Sequence, residues 1–392
     1  MRVLSIIQQP SYGGPYNRNH HLAGPLLASG IELVMLMPDT AERGRQVFED
    51  AGVPVFTMPL HRLRESLNPL EHLAFTSQLG REVGAIRRLI RDQRIDVVQS
   101  NGLVNIHGPI AGRLEGRAVV WQIIDTRTPM IARRMLLGLA RLTTDVLMST
   151  GEAVAAAHPG SERFAGRLVN FTPPVDTDKF VPDAEARRGA RRELGVPEDA
   201  VLIGTVGNVL PQKGHDQVLM AAAPLLQSCD DLYVRILGAT VPTWAGYAEA
   251  LVKQGDDLGL APHDRFRVVD PGARVSALLP AFDLFVMAAI PRSEGIPTAI
   301  LEAMACGIPV VANAVGSIAE VVEHDRTGLV VEAGDLAGLR DALRCLVDDL
   351  ERRGSMGEAG RKRAVREFNV EACADAHLRA YELALAHRGR RG

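Results

Sequence analysis

Short apolar runs alternate with longer stretches of helical periodicity along most of the chain. In the first half, residues 3–7, 33–36, 97–99, 119–123 and 146–149 are brief apolar runs with strand character. Between them lie helical stretches such as 69–92, where Leu70, Leu73, Leu79, Val83, Ile86 and Ile90 recur at roughly helical spacing. This alternation predicts βα units and a parallel sheet.

Around 170–200 the pattern breaks. The string NFTPPVDTDKFVPDAEARR is rich in proline and charge, and Gly195-Val196-Pro197 follows a short basic helix. The scheme then restarts, with strands at 201–206, 232–237, 266–269, 284–287, 310–312 and 329–331, and helical segments at 215–227, 298–305, 317–323 and 335–348. The expected fold class is α/β: two Rossmann-like doubly wound domains facing across a cleft. The boundaries fall at 1–172 for an N-terminal domain, 173–198 for a linker and 199–365 for a C-terminal domain. No tandem repeat appears, which argues against a solenoid. In sheets of this kind ligands sit at the carboxyl ends of the strands.

Composition narrows the function classes. A length of 392 residues allows two or three domains at ~150 residues each. Hydrophobic residues at 46% and charged residues at 23% fit a soluble globular chain and argue against disorder. The net charge of −3 leaves no global basic field, so nucleic acid is not an expected partner. Cys229, Cys306, Cys345 and Cys373 show no C-x-x-C spacing, which favours a reducing compartment over a disulfide scaffold or a cysteine zinc site. No apolar run approaches the ~20 residues that span a bilayer. The start, MRVLSIIQQP, reads as a first strand and not as a secretion signal. These features together point to a cytoplasmic protein. Only four residues are Lys against forty Arg, which suggests a GC-rich bacterial genome and singles out any Lys at a turn.

The strongest chemical signal is SEGIPTAILEAMACGIPVVAN at 293–313. Pro297 suits a first helical turn, and Gly307 with Pro309 beyond it suits a helix stop. A helix N-terminus at the mouth of a sheet presents free N–H groups and partial positive charge to a phosphate. Glu302, on the second turn, would point back toward that start and accept bonds from vicinal hydroxyls such as those of a ribose. Glu294, in the preceding loop, could serve a second polyol. Two carboxylates flanking a phosphate-suited helix describe a nucleotide-sugar site.

A second signal is IGTVGNVLPQKGHDQVLMAA at 203–222, where Lys213-Gly214 lead from a strand into a helix. A lysine there can meet a pyrophosphate as a point charge, and Gly207 allows close backbone approach. It is not a P-loop. The third is Gly13-Gly14-Pro15, where a glycine pair permits positive φ. His20-His21 has no metal-ligand spacing, and no metal site is expected. Asp348-Asp349 and Glu351-Arg352-Arg353 read as a solvated helix end. The arginines of 81–94 and 133–141 read as solvated faces in preference to faces on anionic lipid, and no Ser-His-Asp order or H-E-x-x-H string can be assembled.

In order along the chain these residues resemble glycosyltransferase family 4, of the GT-B fold. Gly13-Gly14 matches that family's N-terminal glycine loop, and 174–180 resembles its linker string. Lys213-Gly214 matches its K-G and Glu294 to Glu302 its pair of glutamates. Residues 302–311, Thr327-Gly328-Leu329 and Gly334-Asp335 match its later runs. The resemblance implies a retaining, metal-independent transfer of a sugar from a nucleoside diphosphate sugar to a hydroxyl acceptor, with no cofactor beyond the donor. It assigns Glu294, Lys213 and Asp125 to catalysis. Donor binding is assigned to Gly13, Gly14, Asn208, Lys213, Asp270, Gly295, Ile296, Thr298 and Glu302, with base recognition near 269–272. It also implies a last helix, about 366–388, packing back on the N-terminal domain.

Two positions depart from the family. Asn208 stands where an Arg is common. Ile124 stands where a His is common, in Gln122-Ile123-Ile124-Asp125, and the upstream H-x-H-like stretch is Gln99-Ser100-Asn101-Gly102. Asp125, Asn101 or His107 are candidate substitutes. The departures motivate one alternative, a catalytically weak nucleotide-sugar-binding homologue acting with a partner; an epimerase of the same fold is another. The acceptor, a glycan, glycolipid or small natural product, would be shaped by the 13–21 loop and the 60–70 region. A peripheral position at the inner membrane face stays open beside the cytoplasmic one.

Overall fold

The computed structural model describes residues 1–62, 69–260 and 264–390, with residues 69–74 described by their backbone alone. The 60–70 stretch expected on the acceptor side therefore lies partly outside the described residues. The chain separates into two compact units, Met1–Pro174 with Val370–Gly392, and Val175–Asn369.

The first unit holds seven strands: β1 (Arg2–Ile6), β2 (Glu32–Pro38), β3 (Val55–Met58), β4 (Val97–Asn101), β5 (Ala118–Ile123), β6 (Val146–Ser149) and β7 (Leu168–Asn170). They pair in parallel in the order β3-β2-β1-β4-β5-β6-β7. Successive residues feed opposite faces: Val3 joins a core with Met35, Val97 and Val120, while Leu4 joins one with Leu36, Ile86 and Val98. A sheet buried on both faces favours apolar residues in its central strands, which is why those strands stand out in the sequence, although β4 ends in buried Gln99, Ser100 and Asn101. The edge strands do not. Val55–Met58 is half-buried and Leu168–Asn170 has three residues, so neither makes a conspicuous apolar run.

The helices of this unit are α1 (Gly14–Ala28), α2 (Glu42–Asp50), α3 (Pro69–Asp92), α4 (His107–Leu114), α5 (Met130–Thr143) and α6 (Glu152–Ala156), joined by the C-terminal helix Val370–Gly389. That last helix buries Cys373, Ala376, Ala380 and Tyr381 in the same core as Val3.

The second unit holds β8 (Val201–Val206), β9 (Leu232–Leu237), β10 (Phe266–Val269), β11 (Leu284–Met287), β12 (Val310–Asn313) and β13 (Gly328–Val331), all parallel, in the order β10-β9-β8-β11-β12-β13. Its helices are α7 (Ala184–Leu194), α8 (His215–Ser228), α9 (Ala245–Asp257), α10 (Val275–Leu278), α11 (Thr298–Ala305), α12 (Ile318–Val321), α13 (Leu336–Asp348) and α14 (Leu350–Glu367); the C-terminal helix is α15. In both sheets the order of strand addition reverses once, at β1/β4 and at β8/β11. Such switch points open a crevice beyond the strand ends.

The stretch 173–198 is no free connector, since from Val175 onward it is part of the second unit. Asp183 caps α7 by accepting from the Glu185 and Ala186 N–H groups. Arg191 is buried and donates to Asp283 Oδ2 at 3.0 Å and to Ala281 O at 2.9 Å, while Arg187 reaches Asp283 Oδ1 at 2.6 Å. Farther up the chain, Arg361 of α14 donates to the carbonyls of Phe180 and Ala305, each at 2.7 Å. Val175, Phe180, Ala190, Leu194 and Val196 are also buried in the core of the second unit, and the stretch looks like a linker in sequence because these apolar residues are spaced among prolines and charges.

Candidate functional site

In the second unit, the loop after β8 is shaped by two glycines around Lys213. Gly207 has φ of +155°, and a Cβ there would lie 3.2 Å from Lys213 Cε, so its missing side chain leaves room for the lysine stem. A 3₁₀ turn, Pro211–Lys213, carries the lysine to Gly214, whose φ is +65°. A Cβ on Gly214 would meet Ala288 O at 1.9 Å, which excludes every other residue without backbone movement. His215, at the start of α8, is buried and donates through Nε2 to Asn208 O at 3.2 Å. Burial lowers its pKa to about 4, so this donor stays neutral. The Ile290 N–H donates to Gln212 O at 3.2 Å and ties this loop to the one after β11.

The loop after β11 brings Glu294 to the lysine. Ser293 donates to Ile290 O at 2.6 Å, and Arg292 adopts a left-handed φ of +67°, an uncommon conformation for a long side chain. Glu294 Oε1 lies 2.9 Å from Lys213 Nζ, with both side chains largely buried. The contact is an ion pair by distance. Gly316 backs this loop: a Cβ there would lie 2.4 Å from Glu294 O, and the Ser317 N–H donates to Gly295 O at 3.0 Å. Nothing in the 293–313 string points to Gly316, which reaches the site through the tertiary fold.

Pro297 was expected inside the first helical turn. It is instead the N-cap residue, extended at φ −67° and ψ 125°, and α11 begins at Thr298. The correction is one position; the Ile300 N–H turns back to Pro297 O at 3.2 Å, which leaves the Thr298 and Ala299 N–H groups as the open donors of the first turn among the described residues. Glu302 sits one turn into this helix. Burial raises its pKa to about 7, against the opposing pull of Lys179 and of a hydrogen bond with Thr298. Gly295 and Ile296 are buried beside Glu294.

Asn208 and Asp270 are exposed. Asp270 Oδ1 accepts the Gly272 N–H at 2.9 Å, closing a small turn after β10, and no hydrogen bond or ion pair joins it to Lys213, Glu294 or Glu302 among the described residues. No group of three or more His, Cys, Asp or Glu side chains that could hold a metal ion occurs among the described residues.

The first unit contains a cavity of about 320 Å³ at the carboxyl ends of β1, β4 and β5, lined among others by Gln8, Arg62, Asn101, Ile124, Asp125 and Arg127. Of the candidate substitutes for a family histidine, Asn101 and Asp125 line this cavity, and Asp125 Oδ1 accepts the Arg127 N–H at 3.0 Å. His107 does not: it is fully buried, with Nε2 2.9 Å from Glu82 Oε2 and Nδ1 against Gln8.

Behind the cavity lies a polar network that sequence reasoning missed. Arg18, 4% exposed, donates to Asn101 Oδ1 at 2.7 Å and to Gln122 Oε1, and stacks 4.8 Å above the Phe171 ring. No carboxylate pairs with it among the described residues, and burial lowers its pKa to about 10. On α15, His377 accepts from Gln122 and donates to Cys373 O at 2.8 Å, and burial together with Arg18 lowers its pKa to about 3. Tyr381 donates to Gln99 at 2.7 Å. The only hint in sequence was the polar content of 99–101 inside a strand.

The glycine loop needs correction. Gly13 is extended at φ −175°, and neither it nor Gly14 has a positive φ. A Cβ on either would meet no atom within 4 Å, so the protein's own packing does not demand glycine there.

Comparison with known proteins agrees with this architecture. The sequence profile of the family described as Glycosyl transferases group 1 matches residues 186–363. The GDP-mannose-dependent alpha-(1-6)-phosphatidylinositol monomannoside mannosyltransferase of Mycolicibacterium smegmatis is 30% identical over 292 residues, covering 70% of this chain and 73% of that protein. A D-inositol 3-phosphate glycosyltransferase of Geodermatophilus obscurus is 35% identical over 223 residues, covering 56% of this chain and 48% of the relative. Among solved structures, Anabaena HepE in complex with UDP aligns with a TM-score of 0.83 at 20% identity, over 97% of this chain and all of that one. Sucrose-phosphate synthase of Thermosynechococcus elongatus aligns at 0.74 and 19% identity, over 98% and 99%. The two structural likenesses fix the fold as GT-B. Taken with the coverage of the mannosyltransferase relative, they lead to one conclusion: this chain belongs to the group 1 glycosyltransferases, family 4 of the GT-B fold.

Proposed function

We propose that this glycosyltransferase takes a sugar from a nucleoside diphosphate sugar and passes it to a hydroxyl acceptor with retained anomeric configuration and without an essential metal. The observation that carries the reading is the Lys213–Glu294 pair at 2.9 Å beside the start of α11, with Glu302 one turn inside that helix. A diphosphate would take Lys213 and the free N–H groups near Gly295, Ile296 and Thr298 as its donors. As the glycosidic bond breaks, negative charge grows on the leaving diphosphate, and donors already aimed there lower the barrier. Glu294, released from part of its pairing, would accept from sugar hydroxyls as a positioning group. Glu302 would accept from the ribose hydroxyls. Asn208 and Asp270 are assigned to the nucleotide side, Asp270 toward the base, and Gly13-Gly14 to a close backbone approach of the donor. The acceptor hydroxyl is assigned to the cavity of the first unit, where Asp125 would hold it and take up its proton.

The donor base is a choice between two candidates. HepE was solved with UDP, and the mannosyltransferase relative is named for GDP-mannose. Thermal unfolding with UDP, GDP, UDP-glucose and GDP-mannose tests the reading, because a ligand that binds the folded state raises the midpoint by mass action. Stabilisation by one nucleotide family, lost in Glu302→Ala, is the expected result; no shift with any of them refutes it.

A second reading is a catalytically weak homologue that binds nucleotide sugar and acts with a partner. It is motivated by Asn208 and Ile124, which leave the diphosphate one cation short and the acceptor cavity without a histidine. Turnover with any acceptor ends it. An epimerase of the same fold would instead convert the nucleotide sugar with no acceptor present.

A further inference from the structure

Helix α5 carries a surface that neither the fold nor sugar transfer uses. Its inward side is filled by Arg133, Leu136, Leu137, Ala140 and Thr143. Arg133 donates to the carbonyls of Thr128 and Ala157 at 2.5 and 2.7 Å, so it is a structural residue and not part of an outer basic face.

The outward side reads Ile131, Arg134, Met135, Gly138, Arg141 and Leu142, a single stripe at helical spacing. Ile131 is 76% exposed, Met135 72% and Leu142 71%. Scattered exposed aliphatics are ordinary, but three on one stripe of one helix form a patch. From Ile131 to Leu142 the stripe runs ~16 Å at 1.5 Å per residue.

The charge on this face has one sign. Helix α5 contains no Asp or Glu. Arg134 and Arg141, together with Arg163, line a second cavity of about 250 Å³. Glu162 is the cavity's one acid, 3.8 Å from Arg163. Arg134 and Arg141 have no hydrogen bond or ion pair among the described residues. Three guanidinium groups around a small cavity suit a phosphate, which they can grip with paired N–H donors.

We propose that α5 docks this protein on an anionic membrane surface. Ile131, Met135 and Leu142 enter the boundary between headgroups and acyl chains, and the cavity of Arg134, Arg141 and Arg163 takes a lipid phosphate. Apolar residues on one line, flanked by arginine and free of acid, are the pattern of a helix lying in the interface plane. A second copy of the chain fits less well. Across a two-fold axis the stripe meets itself, so the arginines of one copy approach those of the other with no acid on the helix to pair them. No helix among the described residues is long and apolar enough to cross a membrane, so this contact would be peripheral.

The test is co-sedimentation of the full-length protein with vesicles of phosphatidylcholine alone and with added phosphatidylglycerol. Binding to the anionic vesicles should exceed binding to neutral ones at least ~10-fold and weaken as salt rises. Arg134→Gln with Arg141→Gln should cut it by roughly fivefold per arginine. Ile131→Ser with Met135→Ser should cut it by at least ~10-fold. Each variant's nucleotide-induced thermal shift checks its fold. Equal pelleting with both vesicle types, or binding unmoved by either pair of substitutions, overturns the proposal. So does an oligomer, seen by analytical ultracentrifugation without lipid, that Ile131→Ser with Met135→Ser dissociates while the parent ignores vesicles.

Discussion

Lys213 and Glu294 lend themselves to a complete double-mutant cycle, because the structure gives each member a different consequence when its partner is removed. At 2.9 Å and an effective dielectric near 20, their gross attraction is ~6 kcal/mol, much of it offset by the desolvation of two largely buried side chains. Lys213→Ala leaves the Glu294 carboxylate buried with no cation, and should cost about 2 kcal/mol. For a unit of this size, that lowers the unfolding midpoint by roughly 4–8 °C. Glu294→Ala leaves a lysine whose long stem can swing toward water, and should cost about half as much. The double variant strands neither charge and should resemble Glu294→Ala, well short of additive loss.

Donor binding should behave differently. If Lys213 meets the diphosphate, its loss removes a charge-assisted bond and weakens nucleotide-sugar affinity by roughly 10- to 100-fold, and the second substitution cannot restore it. The assays are thermal unfolding of the four proteins and calorimetric titration with the nucleotide sugar that stabilises the parent most. Additive stability losses would show that the two charges are not coupled. Affinity within threefold of the parent in Lys213→Ala would remove the lysine from the donor site.

Three further outcomes follow from particular residues. Glu302 has its pKa raised from 4.5 to about 7, so the folded state holds a proton between those values that the unfolded chain has released, and stability falls as pH rises through that window. Glu302→Gln should gain on the parent by about 2–3 kcal/mol between about pH 5 and about pH 8 in denaturant titrations, and should flatten any rise of nucleotide-sugar affinity across pH 7; parallel pH profiles would refute this. Gly214→Ala places a Cβ 1.9 Å from Ala288 O at a φ of +65° and should destabilise by at least ~2 kcal/mol, measured by thermal unfolding. Arg18→Met should cost the first unit about 1–3 kcal/mol, measured by thermal unfolding, by leaving Gln122 Oε1 without its donor, while Asn101 Oδ1 keeps its bond from Asn19 Nδ2 at 3.1 Å; Arg18→Lys should recover part of the loss, since Arg18 reaches both oxygens through the single nitrogen Nη2 and an ammonium can donate to both in the same way. Parental stability in both Arg18 variants would argue against the network.

The strand pattern of both sheets is visible in the sequence because strands buried on two faces are mostly apolar, whether at 201–206 or at 284–287. Edge strands such as Val55–Met58 escape that logic, since half of each is solvated. Helix signals are local as well, and Pro297 and Gly307 mark the ends of α11 to within two residues. The segment 184–194 misleads because its inward side chains include Arg191, whose partners Asp283 and Ala281 lie far along the chain.

What the sequence determined by itself was therefore whatever depends on neighbours in the chain: apolar period, helix ends, turn glycines and the order of motifs that identifies the family. Tertiary structure decided whatever depends on two strands lying side by side. The β8/β11 pairing brings Lys213 to Glu294, and Gly316 supports that loop from beyond β12. The β1/β4 pairing sets Arg18 among neutral oxygens with no carboxylate partner among the described residues. The outward stripe of α5 belongs to the same class. Its residues are plain in the sequence, but only packing settles that Arg133 turns inward and Ile131, Met135 and Leu142 are left facing out, because an amphipathic helix with apolar residues on two sides can bury just one of them.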